Sequence, residues 1–385
     1  MPAASREPRV PTNRSPLLNV QDGADSAPRV SRRRIMAYAL GLTLAPAVMA
    51  RRAAAQDTTK VIRIGSGPTG ATEFLFGGLI ANAISNPPGS RECDKGGNCG
   101  VPGLIAVAQT TSGALANLQA VDRGDLEMGL SQADVTTWAY TSSGVFAGKP
   151  PLSHLRLIAR LYPSNIQLVT RADSKIAAMS DLKGKRIAIG DQDSATAATA
   201  KQLLSAYGIH WSTVRLRYLG FTAFGDALSN GQIDAAFVIG GAPVLALEDL
   251  ARRTPIRVVP ISGPVATKLA DVLPFYSLGI VPAGTYGSAA DVATLNVHSV
   301  LVARDTMDND LAYGIAKAIW HERNISLFQN GHPSGKLMDR SQADDGAGVP
   351  VHPGAARFYV AQTTEPPAAQ RLPFLLRAAM PDAKS

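Results

Sequence analysis

The sequence predicts an α/β fold of two lobes that face each other across a cleft. Four apolar, strand-like runs each end in a turn rich in Gly, Ser and Thr that opens a helix, within residues 61–70, 104–113, 186–194 and 235–243. The runs are apolar at consecutive positions, which is typical of parallel strands covered on both faces. Such turns point the unpaired N–H groups of helix starts at the crevice beyond the strand ends, so we expect a small ligand to bind there.

The first 55 residues differ in composition from the rest and predict an export signal. They hold nine Arg and three acidic residues, and so contribute +6 of the chain's net charge of +8. Paired arginines in residues 31–36 precede an apolar stretch, 37–50, that is too short to span a bilayer core of about 30 Å. The segment resembles a twin-arginine leader with an A-x-A-like cleavage site near Ala55, and a retained membrane anchor is the alternative.

The remaining sequence is predicted to be a periplasmic protein that begins after a linker, residues 56–60. Its charge is nearly balanced, with 29 basic and 27 acidic residues, so no nucleic-acid-binding face is expected. The first lobe is predicted to comprise residues 61–168 and 300–385, and the second lobe residues 169–299.

Within these lobes, strands and helices alternate, and Gly124, Gly208 and Gly231 lie where helix C-caps are expected. The predicted helices are 72–85, 114–123, 195–207, 222–230, 244–252 and 309–328. The later predicted strands are 126–131, 155–161, 167–170, 185–189, 215–219, 234–239, 256–260 and 299–304.

Two segments, 167–173 and 299–305, resemble each other because each is an apolar strand that ends in Arg-x-Asp or Arg-Asp. They bracket the second lobe. We interpret them as a pair of crossover strands that hinge the lobes, and two ordinary strands with solvated ends are the alternative.

The two cysteines, Cys93 and Cys99, are predicted to form a local disulfide with no catalytic role. Five residues, two of them Gly, separate them, so the ring can close without much strain, and an oxidising compartment would favour the bond. A metal pair is the alternative, but two further ligands are missing nearby in the sequence.

No motif predicts catalysis. Residues 65–70, GSGPTG, match a dinucleotide fingerprint, but the next strand follows about 40 residues later and lacks the terminal acidic residue that a ribose requires. A turn that presents N–H groups to a carboxylate is the preferred interpretation. The six histidines are scattered without metal-ligand spacing, and neither a G-x-S-x-G nor an H-E-x-x-H motif occurs. We therefore expect no catalytic residue, metal or cofactor.

From Val61 to about Tyr359 the chain resembles the TAXI-family substrate receptors of TRAP transporters. The resemblance rests on the segments 64–71, 111–118, 129–135, 181–187, 231–238, 241–243, 281–286 and 352–355. It implies the two-lobed, type II-like fold of periplasmic binding proteins with two crossover strands. It also implies that the ligand is a small organic anion or an amino acid, which is delivered to TRAP transporter membrane subunits.

This chain departs from the family pattern at several positions. Glu73 and Phe74 stand where paired tyrosines are common, Ala195 stands where Gly is usual, and Arg160 stands where a small residue is more typical. Glu73 either lies at the third position of a helix capped at Gly70 or meets an ammonium group of the ligand. Arg160 is solvated, or pairs with a ligand carboxylate or with Glu73.

The predicted ligand-binding residues come from the four turns and from the walls between them. They are Thr69, Gly70, Glu73, Thr111, Ser112, Gly113, Gln132, Asp191, Ser194, Ala195, Thr196, Gly241, Pro243, Phe275 and Tyr276. Tyr162 is a further candidate wall. Two other functions stay open at this point: a twin-arginine-exported oxidoreductase with a bound cofactor, and a receptor of an ABC importer.

Overall fold

Twelve strands form one mixed sheet in the computed structural model, which describes residues 59–345 and 347–363. The predicted export signal, 1–55, lies outside the described residues. The strands are β1 (Lys60–Gly65), β2 (Ser85–Asn86), β3 (Val101–Pro102), β4 (Leu104–Gln109), β5 (Met128–Gln132), β6 (Leu155–Arg171), β7 (Arg186–Ala188), β8 (Arg215–Arg217), β9 (Ala235–Gly240), β10 (Ile256–Val259), β11 (Tyr276–Val281) and β12 (Val292–Arg304).

Ten α-helices are found in the described residues. They are α1 (Thr72–Ile84), α2 (Ala114–Arg123), α3 (Ala133–Thr141), α4 (Ala195–Ala206), α5 (Phe224–Ser229), α6 (Leu245–Arg253), α7 (Pro264–Val272), α8 (Asn309–Ile319), α9 (Glu322–Gly331) and α10 (Pro353–Thr363). No helix of the described part combines the length and apolar composition needed to cross a membrane.

The strand order is β3-β2-β4-β1-β5-β12-β6-β9-β7-β8, with β10 paired to β6 and β11 paired to β12. The first half of the sheet contains the parallel set β4, β1 and β5, and the second half contains the parallel set β9, β7 and β8. The antiparallel pair β12 and β6 lies between them. This arrangement confirms the predicted α/β class.

The two longest strands, β6 with 17 residues and β12 with 13, each change partners along their length. Strand β12 pairs with β11 over residues 292–297 and with β5 over residues 299–303. Strand β6 pairs with β12 up to Asn165 and with β9 from Asn165 onward. The segments predicted as crossover strands, 167–173 and 299–305, belong to these two strands up to Arg171 and Arg304, whereas the predicted lobe boundaries stay a prediction.

The separate strands 155–161 and 167–170 of the sequence-based prediction are in fact the single strand β6. Pro163 lies within it, opposite His298, and the register with β12 shifts between His298 and Val300. A residue without an N–H group is tolerated at such an irregularity, and this explains why a proline does not end the strand.

The core lies on both faces of the sheet. Every residue of the central strands β5 and β9 is buried, and burial on both faces accounts for the consecutive apolar positions of β9. The apolar run in β4 is less covered, since one of its six residues is buried. On the first half, the ring of Phe76 lies 4.0 Å from that of Tyr162 and 6.1 Å from that of Phe328. These rings fix α1, β6 and α9 against one another.

Two elements of the C-terminal region differ from the prediction. The single helix predicted over 309–328 is two helices, α8 and α9, because the chain turns at Trp320 and His321; the His321 side chain caps α9 by accepting from Arg323 N–H at 3.3 Å. Beyond the last predicted helix, the chain forms α10, which begins at Pro353, where the missing N–H costs no hydrogen bond.

Cys93 and Cys99 form the predicted disulfide. It closes a ring of seven residues, for which loop-closure entropy gives about 2 kcal/mol. We therefore expect the Cys93→Ser/Cys99→Ser variant to lose about that much free energy of unfolding, measured by denaturant titration. Adding a reductant should lower the stability of the wild type to that of the variant and leave the variant unchanged. If the reductant frees both thiols of the wild type but leaves its free energy of unfolding unchanged, the disulfide does not contribute this stability.

Candidate functional site

Three helices, α1, α2 and α4, begin at one pocket in the described part of the chain. The pocket holds about 40 Å³ of space for water-sized molecules, which is room for a few waters. Its lining residues are Gly67, Pro68, Ala71, Glu73, Ser112, Gly113, Ala114, Gln132, Gly190, Asp191, Ser194, Ala195, Thr196, Gly220, Phe221 and Ile239. Because the first N–H groups of a helix have no intrahelical acceptor, three sets of donors meet at this place.

The start of α1 places a buried acid in the pocket wall. Glu73 is only 9% exposed, and its Oε1 atom has no hydrogen-bond partner among the described residues. Burial raises the pKa of this carboxyl group to about 7. At Gly67 a Cβ atom would lie 3.2 Å from the Glu73 Cβ, so the absence of a side chain there leaves room for the acid.

Gln132, the last residue of β5, contributes a second buried oxygen to the same pocket. Its side chain is 5% exposed, and Oε1 has no partner within the described ranges. The side chain points from the end of a fully buried central strand, and this is where α/β sheets bind ligands.

The turn before α2 forms another wall through Ser112 and Gly113. Gly113 has a φ of 108°, a conformation that favours glycine. Its N–H donates to Thr111 Oγ1 at 3.2 Å, and the Thr111 hydroxyl donates to the Ser66 carbonyl at 3.3 Å. Thr111 therefore holds the turn in shape but does not line the pocket.

The turn before α4 supplies the wall from the second half of the sheet. The Ser194 hydroxyl accepts from Ala197 N–H at 3.1 Å and donates to the Asp191 carbonyl at 2.7 Å, so it caps the helix. Gly190 has a φ of 83°, and a Cβ there would lie 2.6 Å from Ser194 Oγ. At Gly220 a Cβ would lie 2.2 Å from Asp191 Oδ2, so this glycine lets the carboxylate approach the backbone.

The structure brings eight of the fifteen predicted residues to the pocket. These are Glu73, Ser112, Gly113, Gln132, Asp191, Ser194, Ala195 and Thr196. It does not place Thr69, Gly70, Thr111, Gly241, Pro243, Phe275 and Tyr276 in the lining. Contact of any of them with a ligand stays a prediction.

The fourth predicted turn, 240–243, packs against α1 instead of opening into the pocket. The Gly241 carbonyl accepts from the Thr72 hydroxyl at 2.9 Å. The Pro243 carbonyl is bonded to His332 Nε2 at 2.9 Å, and the Gly70 carbonyl accepts from Ala246 N–H at 3.3 Å. Contacts with α1 and with neighbouring segments therefore occupy this turn.

Phe275 and Tyr276 lie in the core near α3. The Phe275 ring meets Trp138 edge-on at 5.9 Å, and the Tyr276 hydroxyl lies 2.5 Å from Gln202 Oε1. Tyr162, the further candidate wall, is fully buried against Phe76. These aromatic residues support the elements around the pocket from behind.

Arg160 is directed away from its predicted partners. Its Nη2 atom lies 2.8 Å from Gln342 Oε1 and 2.8 Å from His298 Nε2. Burial and the neighbouring guanidinium lower the pKa of His298 to about 4, so His298 accepts the hydrogen bond as a neutral ring. The structure thus gives Arg160 a structural contact and does not pair it with Glu73.

Sequence reasoning missed several residues of the lining, among them Gly220, Phe221 and Ile239. For Gly220 and Phe221 a signal was present, because the predicted strand 215–219 is also followed by a glycine that precedes a predicted helix. Ile239 gave no separate signal, since it is one of several apolar residues in β9.

The charge of the pocket is acidic. Glu73 and Asp191 are the charged residues of its lining, and within the described part of the chain no Lys, Arg or His lines it. Positive potential at this pocket therefore comes from the helix starts, each of which contributes about 0.3–1 kcal/mol toward an anion, or up to about 2 when partly buried.

Comparison with known proteins gives a family and several structural likenesses. The aliphatic sulphonate binding protein SsuA of Escherichia coli is 13% identical, with 80% of this chain and 84% of that chain covered and a TM-score of 0.40. The alkanesulfonate-binding protein SsuA of Xanthomonas axonopodis pv. citri is 14% identical, with coverages of 84% and 94% and a TM-score of 0.42. An ancestral arginine-binding protein is 13% identical, with coverages of 71% and 98% and a TM-score of 0.44.

Likenesses at this level of identity and TM-score do not indicate which solute this chain binds. The family assignment has a broader basis, because the model of the NMT1-like family matches residues 64–362, well over half of the 385 residues. The chain therefore belongs to the NMT1-like family.

Proposed function

We propose that this chain is a solute receptor that binds a small, carboxylate-bearing molecule in the pocket where α1, α2 and α4 begin. The observation that carries the proposal is the meeting of three helix starts at one pocket, two from the first half of the sheet and one from the second. Helix starts bind carboxylates through free N–H groups, and their dipoles favour negative charge.

Binding of this kind needs both halves of the sheet. Micromolar affinity requires about 8 kcal/mol, which exceeds what one helix start supplies. Several charge-assisted hydrogen bonds, at about 1.5–3 kcal/mol each, must therefore act together. The pocket has room for a few waters, so a larger solute requires the wall at α1 and α2 to separate from the wall at α4 and then to close on the solute. Strands β6 and β12 connect the two halves of the sheet that carry these walls.

The closed, loaded receptor is proposed to deliver its solute to transporter membrane subunits from the periplasm. The TAXI-like segments support TRAP subunits as the partner, and an ABC importer is the alternative. The export-signal pattern of residues 1–55 supports the periplasmic location.

The pocket assignment predicts the effect of filling it. Ser112 is an exposed lining residue, so Ser112→Phe should block the pocket without unfolding the protein. We expect the stabilisation by a bound carboxylate or amino acid, measured as a rise in melting temperature across a panel of such compounds, to be lost in Ser112→Phe. Ser194→Phe should lose it as well, with an additional cost of about 1 kcal/mol because the helix cap is removed.

Ser90→Phe is the matched control, because Ser90 is an exposed serine in a turn outside the pocket lining. It should keep the full rise in melting temperature. If the compound that stabilises the wild type stabilises Ser112→Phe and Ser194→Phe equally, the pocket is not the binding site.

A further inference from the structure

Two of the residues that line the pocket each carry a buried acceptor atom without a donor. These atoms are Oε1 of Glu73 and Oε1 of Gln132, and neither finds a hydrogen-bond partner in residues 59–345 or 347–363. Buried polar atoms in native proteins are hydrogen-bonded in the great majority of cases, and an unpaired one costs about 1–3 kcal/mol. A ligand that presents N–H donors at this wall would remove that cost.

The charges of the pocket point the same way. A solute that carries only negative charge would meet the carboxylates of Glu73 and Asp191, with no cationic side chain in the described lining to offset them. Glu73 is nine-tenths buried, so its repulsion with an anion would be only weakly screened. A solute with a cationic group at Glu73 and an anionic group at the helix starts avoids this repulsion.

We propose that the solute is a zwitterion whose protonated amine binds Glu73 and Gln132 while its carboxylate binds the N–H groups that open α2 and α4. This inference rests on the proposed receptor function and narrows its ligand to amino acids and similar amino carboxylates. An ammonium group donates three hydrogen bonds and accepts none, which matches a wall of two acceptors.

The residue at position 73 then determines specificity. A carboxylate attracts an ammonium group and repels a second carboxylate, so Glu73 selects for the amine as well as against acids that lack it. Gln132 contributes an uncharged acceptor from β5, a different element, and so fixes the direction of the amine. Ser112 and Ser194 lie at the helix starts and define the opposite end of the solute.

The test compares amino acids with their 2-hydroxy counterparts, such as leucine with 2-hydroxyisocaproate and glutamate with 2-hydroxyglutarate. Protein purified from the periplasm of an expression host is titrated calorimetrically at pH 8. We expect the amino acid of the best-bound pair to bind about 10- to 100-fold more tightly, because a hydrogen bond to a charged group contributes about 1.5–3 kcal/mol. In Glu73→Gln the affinity for the amino acid should fall about 10-fold or more, and the preference over the hydroxy acid should shrink to within about 3-fold.

Glu322→Gln is the control, since Glu322 is an exposed acid on α9 outside the lining, and it should keep the wild-type preference. Equal binding of both members of each pair by the wild type, or an unchanged preference in Glu73→Gln, would overturn the zwitterion inference and leave the receptor function standing. Failure of every compound to bind the wild type, together with no small molecule released from the purified protein in native mass spectrometry, would count against both. Binding that survives in Ser112→Phe would overturn the location of the site.

Discussion

Glu73→Gln is expected to raise the free energy of unfolding of the ligand-free protein by about 3 kcal/mol at pH 8 and to change it little at pH 4.5. The Glu73 carboxyl group is buried without a partner for Oε1, and burial raises its pKa from 4.5 to about 7. Each unit by which folding raises this pKa disfavours the ionised form, relative to the protonated form, by about 1.4 kcal/mol of free energy. Glutamine has nearly the same shape and carries no charge, so the variant avoids this cost.

The sign follows from the folded and unfolded pKa values. A carboxyl group whose pKa is raised by folding contributes full stability below its unfolded pKa and loses that contribution as the pH rises through the folded value. The wild type should therefore lose stability relative to Glu73→Gln between about pH 4.5 and pH 7. Other buried acids titrate in both proteins and cancel in the difference.

Denaturant titration of both proteins at several pH values between 4.5 and 8 measures the difference. Glu322→Gln, which removes an exposed acid, should follow the wild type at every pH. A Glu73→Gln protein that is no more stable than the wild type at pH 8 would show that the ionised carboxylate is already satisfied. The combination of higher stability with weaker binding of amino acids is the pattern expected when a residue is kept for its ligand.

The sequence carried enough information to predict the class of fold and three of the four turns at the pocket. Consecutive apolar residues predicted buried parallel strands; β9 is buried throughout, whereas β4 has one buried residue of six. Ser112, Gly113 and Ser194 were found because a small-residue turn between a strand and a helix is a local pattern. Local patterns of this kind survive folding because backbone geometry requires them.

The surroundings of the predicted residues outside the pocket lining depend on contacts between distant parts of the chain. Gly241 was predicted at the pocket, but the Thr72 hydroxyl, 169 residues away, binds its carbonyl. For Arg160 the sequence left open a solvated side chain or a pair with a carboxylate, and in the structure Gln342 and His298 lie beside it. The burial of Glu73, on which its proposed ligand role rests, likewise arises from packing that no local pattern records.

A second buried acid, Asp134 on α3, should respond to substitution in the opposite direction. Its side chain is fully buried, yet both oxygens have donors: Oδ1 accepts from Val135 N–H at 2.7 Å, and Oδ2 accepts from the Thr199 hydroxyl at 2.6 Å. The Tyr276 hydroxyl lies 3.2 Å from Oδ2. One carboxylate thereby connects α3, α4 and the start of β11.

We expect Asp134→Ala to lower the free energy of unfolding by about 3 kcal/mol, because the buried Val135 N–H and the Thr199 hydroxyl lose their acceptor and each unsatisfied group costs about 1–3 kcal/mol before relaxation. The Tyr276 hydroxyl keeps Gln202 Oε1 as an acceptor. Asp134→Asn keeps an acceptor of the same shape, and the hydroxyls of Thr199 and Tyr276 can turn to accept from its amide. Asp134→Asn should therefore lower the free energy of unfolding by about 1 kcal/mol or less at pH 8. Burial raises the pKa of Asp134 to about 6, so the ionised acid of the wild type is itself disfavoured at this pH.

The Thr199 hydroxyl bond is the contact through which the Asp134 carboxylate connects α3 to α4. If the Asp134 carboxylate holds α3 to α4 through Thr199, then Asp134→Ala and Thr199→Ala share one hydrogen bond, and the double variant should be less destabilised than the sum of the single variants. Additive losses in denaturant titration would mean that the 2.6 Å contact contributes no coupling. An Asp134→Ala protein within about 1 kcal/mol of the wild type would mean that the donors find other acceptors, and that α3 and α4 are joined by apolar packing alone.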